Sequence, residues 1–179
     1  MVRERIFAEF PGIGIYTGTV PREVDMGSAR NDMAGSIGLL ILRLCIGGYM
    51  LTHGWGKLQM VIAGDFGKFG DPIGLGSGVS LVLVTVAEFL CALLAMLGFA
   101  TRIAAGIIVF AMAVAVFVAH GGDPWTMGQG AKLFLSGQAK SWASKEPALL
   151  YLVPFLALVF TGAGRFSIDG LVRSRRRGK

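Results

Sequence analysis

Four apolar runs constrain this chain more than any other feature of its sequence. They cover residues 36–59, 78–97, 103–120 and 147–164. Each is close to the roughly 20 residues that cross a hydrocarbon core about 30 Å thick. A soluble four-helix bundle would carry a charged stripe on every helix, yet residues 103–119 contain no charged side chain. Composition agrees: 54% of the residues are hydrophobic and 16% charged, against about a quarter charged in soluble domains. The expected fold is an all-α membrane protein, a four-transmembrane-helix bundle with helices near 35–56, 78–99, 102–120 and 147–164. The first run follows some 34 polar and mixed residues and precedes no small-residue cleavage site, so it does not read as a signal peptide.

An even number of spans puts both termini on one side. Arg3, Arg5, Arg22, Arg30, Arg102, Arg165, Arg173, Arg175, Arg176, Arg177 and Lys179 fall on that side. Lys57, Lys68, Lys132, Lys140 and Lys145 fall on the other. Basic residues concentrate in cytoplasmic segments, so both termini are expected to be cytoplasmic and the protein to lie in the cell's inner membrane. Residues 1–34 then form a cytoplasmic segment, 35–171 the membrane domain and 172–179 a basic cytoplasmic tail. The closing RSRRRGK reads as a topology signal touching anionic lipid, not as a nucleic-acid site.

The connections differ in kind. GFAT makes a tight hairpin between the second and third runs. The first outer loop is Gly-rich and reads as irregular or partly re-entrant. The second carries Trp125 and Trp142 near its ends, as interfacial segments do, and AKLFLSGQAKSW suits a short helix lying on the membrane surface.

Arg43, Gly47, Met50, Gly54 and Lys57 recur at spacings of four, three, four and three, which places them on one helical stripe. Charge mixed with glycine marks an inward face, because glycine admits a neighbouring helix. An arginine in a span costs about 2.5–3.5 kcal/mol on insertion scales unless compensated. Glu88 is the only acid deep in a span, so a buried Arg43–Glu88 pair is expected. Glu88 shares its face with Ala92, Ala95 and Phe99, and His120 lines up with Gly106, Phe110, Ala113 and Phe117. His53, Lys57, His120 and Glu146 gather near the outer interface as candidate ligand-binding groups, the histidines able to donate protons. Lys57 alternatively only snorkels. Arg165 and Asp169 read as a cap or salt bridge at a helix end. Pro147 opens the fourth helix and Pro154 is expected to kink it. Cys45 and Cys91 form no CxxC and sit where thiolate is disfavoured. No metal site is expected.

The strings LRLCIGGYMLTHGWGKL, AEFLCALLAMLGFATRIAA, the histidine closing the third run and EPALLYLVPFLALVFTGAGRFSID together resemble the DoxX family. The resemblance runs from Ser36 to Leu171. It implies a four-helix membrane protein linked to respiratory or redox systems, whose relatives include a small subunit of thiosulfate:quinone oxidoreductase and a component of a thiol-stress oxidoreductase complex.

Two functions are expected as alternatives. In one, the bundle binds a quinone or similar lipophilic molecule, its head group among His53, Glu146 and His120 and its tail beside Phe110 and Phe117. The chain is then a non-catalytic or quinone-binding subunit. It has no intrinsic cofactor, and the electron-carrying group resides on a soluble or membrane partner protein. In the other, it is an assembly scaffold or a carrier of a small lipophilic solute without redox role. The bilayer is a partner in both, nucleic acid in neither, and an oligomer is compatible with both.

Overall fold

A glycine in left-handed conformation stops two of the long helices. Gly64 (φ 74°) follows α1, Met26–Ala63, and Gly98 (φ 73°) follows α2, Ser77–Leu97. The computed structural model describes residues 26–177, with side chains from 32 to 176. Most of the expected N-terminal segment, residues 1–25, therefore lies outside the described residues. Residues 26–34 of that segment are helical, as the first turns of α1. The helix also continues beyond the expected end near residue 56, because LQMVIA offers no breaker before Gly64.

After a short 3-10 turn at Phe66–Lys68, α2 runs Ser77–Leu97 and α3 runs Thr101–Ala119. A surface helix α4, Met127–Leu135, precedes α5, Glu146–Thr161, and α6, Ile168–Arg177, ends the described chain. No β-strand occurs among the described residues. Helices α1, α2 and α3 are long and apolar enough to cross a membrane, while α5, at 16 residues, is shorter. Pro147 lies in the first turn of α5, and the helix continues through Pro154. The expected surface helix forms one turn earlier than AKLFLSGQAKSW suggests. It starts where Thr126 Oγ1 accepts from Gln129 N (3.3 Å), and Gly137 turns the chain away after it (φ 72°). Part of the basic tail is helical, as α6.

Helix α2 packs between α1 and α3, and α3 runs along α5. Small residues fill the centre: Ala92, Ala95, Ala104 and Ala105 are at most 2% exposed, beside Met50, Ile108, Phe155 and Leu158. The α1 stripe faces α2 as its spacing predicts. A Cβ on Gly47 would lie 3.0 Å from Met96 Cβ, and one on Gly54 2.5 Å from the Glu88 carbonyl oxygen. Phe99 departs from the predicted face: it lies beyond the end of α2 and is half exposed. In α3 the buried face is Ala104, Ala105, Ile108, Met112 and Val116, so Phe110 and Phe117 point outward.

Candidate functional site: a cavity beside two widened helical turns

Polar side chains collect at opposite ends of the bundle. At the end carrying α6, Arg43 is 1% exposed and meets no carboxylate. Its Nη1 donates to the Met96 carbonyl (3.1 Å) and its Nη2 to the Phe166 carbonyl (2.6 Å). Met96 belongs to the last turn of α2, where unsatisfied carbonyls carry partial negative charge. The buried cation is thus compensated by a helix C-terminus and not by Glu88. The Arg43–Glu88 pair expected from the sequence does not form.

Asp169 takes the first of its two expected roles, a helix cap, and not the second. It makes no salt bridge with Arg165, whose side chain is exposed. Its carboxylate accepts from Ala100 N (2.9 Å), Thr101 N (3.0 Å) and Thr101 Oγ1 (2.9 Å), closing the N-terminus of α3. Its own backbone N–H donates to the Gly98 carbonyl (2.9 Å). This clamp also holds Ala100 at φ 47°, a conformation disfavoured for a residue with a Cβ. Asp169→Ala should therefore lower stability by about 1–2 kcal/mol, the range for a lost helix cap. Thermal unfolding in detergent measures this, and an unchanged midpoint would show that the clamp contributes nothing.

At the other end, Glu88 is paired with Lys57, Nζ to Oε2 at 2.5 Å, the side chains 7% and 23% exposed. Glu88 sits in a π-helical turn, Val86–Cys91, inside α2. A second π-helical turn, Ala115–Ala119, ends α3, where His120 N donates to the Ala115 carbonyl (2.8 Å). Such turns carry an extra residue, re-aim the side chains that follow and occur frequently at functional sites. Between them lies a cavity of 360 Å³. Leu83, Val84, Ala87, Ile107, Phe110, Ala111 and Val114 form its apolar wall, and Lys57, Glu88 and His120 supply its charged and titratable groups.

The loop between α1 and α2 contributes Phe69, Pro72 and Ile73 to the cavity's lining. Asp71 fixes that loop by accepting from Leu75 N (3.1 Å), Gly76 N (2.8 Å) and Ser80 Oγ (2.8 Å). These bonds, that from the Ser80 hydroxyl foremost, hold its carboxyl below the ordinary carboxylate pKa. Ser80 itself lines the cavity.

Of the four ligand-binding candidates in the sequence, Lys57 and His120 border this cavity and the other two do not. His53 lies on the flank of the stripe, turned toward α5, where its ring meets Tyr151 edge-on at 5.2 Å. Glu146 accepts from Met127 N (2.7 Å) and so caps α4. The expected cluster is therefore divided: His53 is engaged by Tyr151 and Glu146 by Met127 N, while Lys57 and His120 border the cavity. Phe110 is in the wall, as expected for a tail-binding residue, but Phe117 is not.

Sequence reasoning passed over Asp71, Ser80 and Asp123. Asp123 Oδ2 lies 2.7 Å from His120 Nδ1. The signal for it was present in HGGDP, where a carboxylate three residues past a histidine meets it across a turn. Chemically, the cavity's end offers an ammonium donor, a carboxylate acceptor and an imidazole. The Lys57–Glu88 pair is neutral as a unit, which suits a carbonyl or hydroxyl head group better than a free anion.

A family model described as DoxX matches residues 38–121. An uncharacterized protein of Haemophilus influenzae is 33% identical over 134 residues, which cover 73% of this chain and 87% of that protein. No solved structure matches. The matched family segment contains both π-helical turns, Lys57, Glu88 and His120.

Proposed function

Because this chain belongs to the DoxX family, and its several apolar helices make it a multi-pass membrane protein, we propose that it binds one lipophilic molecule with a neutral polar head group, a quinone or a close chemical relative. The observation that carries this reading is the 360 Å³ cavity with an apolar wall and the Lys57–Glu88 pair and His120 beside it. That volume falls in the range of small-molecule sites, about 300–1,000 Å³. Leu83, Ile107 and Phe110 in the wall are also 42–69% exposed on the outer surface, so a lipophilic ligand enters sideways from the bilayer.

In this reading α5 crosses as a fourth span, and the bilayer thins locally to match its 16 residues. The excess of basic residues at the α6 end supports a topology with both termini in the cytoplasm of an inner-membrane protein. The cavity then lies toward the outer leaflet. Lys57 and His120 donate hydrogen bonds to head-group oxygens. The His120–Asp123 pair, the side chains 40% and 35% exposed, joins the cavity to water as a route for a proton. A partner protein supplies the electron-carrying group. The scaffold alternative assigns the cavity no occupant.

Filling the cavity separates the two readings. Ala111→Phe should clearly reduce the quinone that co-purifies with the protein, because a ring projecting from the wall takes up space that the ligand would fill. Mass spectrometry of the extracted lipid provides the count, and thermal unfolding checks that the variant is folded. Wild-type protein that carries no ring-headed lipid and binds none when it is supplied would end the quinone reading.

A further inference from the structure

We propose that α6 is a membrane-surface helix that docks on anionic lipid head groups and holds the α6 end of the bundle at a negatively charged leaflet. This is independent of the cavity and its occupant. Ile168, Leu171 and Val172 recur at spacings of three and one, which sets them on one face of the helix. They are 38%, 63% and 46% exposed among the described residues. Phe166, two residues before the helix, and Phe160, near the end of α5, are also exposed. A soluble helix has no reason to present such a face, whereas one lying in the interface buries it at the head-group and acyl boundary.

Charge selects the lipid. Arg173, Arg175 and Arg176 are exposed along the second half of the helix, and the sequence adds Arg177 and Lys179. The exposed side chains of Arg102 and Arg165 lie at the same end. The one acid of α6, Asp169, is already occupied by the N-terminus of α3. Arg175 lies close to the apolar face, one turn beyond Leu171 and Val172, where its stem extends that face and its guanidinium reaches phosphate.

The helix is also held in place. Asp169 ties its first turn to Gly98, Ala100 and Thr101, and Ser167 Oγ accepts from Gly170 N (2.9 Å). A Cβ on Gly170 would lie 2.4 Å from the Arg165 carbonyl oxygen, so the entry turn is close-packed. The direction of α6 is thus set by the bundle rather than by the bilayer.

The test uses the full chain in vesicles of phosphatidylcholine with or without phosphatidylglycerol. A spin label on Val172→Cys, with Cys45 and Cys91 replaced, should report burial beside acyl chains when phosphatidylglycerol is present. It should shift toward water when that lipid is omitted or salt is raised. A second measurement needs no label: native mass spectrometry of the unlabelled protein counts retained lipid. Wild type should select phosphatidylglycerol, and Arg173→Gln, Arg175→Gln and Arg176→Gln should weaken that selection about fivefold for each arginine removed. A label that stays in water in both vesicles overturns the proposal, as does equal lipid selection by wild type and the triple variant. Displacement of the bound lipid by inorganic phosphate would assign the arginines to a free anion. Burial of the label only on adding an acidic protein or an oligonucleotide would assign the helix to that partner.

Discussion

Glu88→Gln should lower the stability of the folded protein by about 3–5 kcal/mol, the cost of leaving one partner of a buried pair uncompensated. The stranded group is the half-buried Lys57, whose ammonium meets Glu88 Oε2 at 2.5 Å. A companion Lys57→Met change removes the stranded charge and should recover a substantial part of the loss, whereas Arg43→Met should add to it. Arg43 answers to the Met96 and Phe166 carbonyls and gains nothing from Glu88. A double-mutant cycle on thermal unfolding in detergent reads out both pairings, since residues in contact couple by about 0.5–3 kcal/mol and remote ones add independently. Coupling of Glu88 to Arg43 in place of Lys57 would reverse the assignment made here.

Two glycines two residues apart on α1 should respond with opposite sign. At Gly54 a Cβ would meet the Glu88 carbonyl oxygen at 2.5 Å and Phe89 N at 2.7 Å, both backbone atoms that cannot turn aside. Gly54→Ala should destabilise by about 1–3 kcal/mol, the range for overpacking. It should also push α1 away from the π-helical turn, stretch the Lys57–Glu88 contact and reduce ligand retention. At Gly56 nothing lies within 4 Å of the added Cβ. Gly56→Ala should be neutral or gain up to about 1 kcal/mol through helix propensity. Thermal unfolding of the two variants side by side is the check. Equal behaviour would mean that the helices are less closely apposed at Gly54 than described.

The faces of the helices were legible in the sequence because they depend only on spacing. Arg43, Gly47, Met50, Gly54 and Lys57 do form the α1 surface against α2, with Arg43 and Met50 each 1% exposed. The helix stops were less legible: the expected second helix ran to residue 99 and the first ended near 56, whereas left-handed Gly98 and Gly64 stop them at Leu97 and Ala63. Glu146, His53 and Asp169 were recognisable as polar groups at helix ends, but their partners were not. Met127 N, the Tyr151 ring and the N-terminus of α3 each lie on another part of the chain, and no periodicity connects them. The π-helical turns left no mark in the sequence either. An inserted residue in a helical turn costs little locally and is decided by what packs against it.

The amino-acid sequence by itself determined that the chain folds as apolar helices, which residues share a face, and that a cation and an anion are buried in the first two spans. Tertiary structure alone decided who meets whom. Helices α1 and α2 are antiparallel with Gly47 opposite Met96 and Gly54 opposite Glu88. That single register sets Arg43 against the closing turn of α2 and leaves it about 16 Å along the helix axis from the level of Glu88, at 1.5 Å per residue. Depth counted from the ends of apolar runs put the two within reach of each other. It erred because α1 continues to Ala63, well past the end of its most apolar stretch. Burial follows from composition and period, but pairing follows from register, and register is set by where glycine lets two backbones touch.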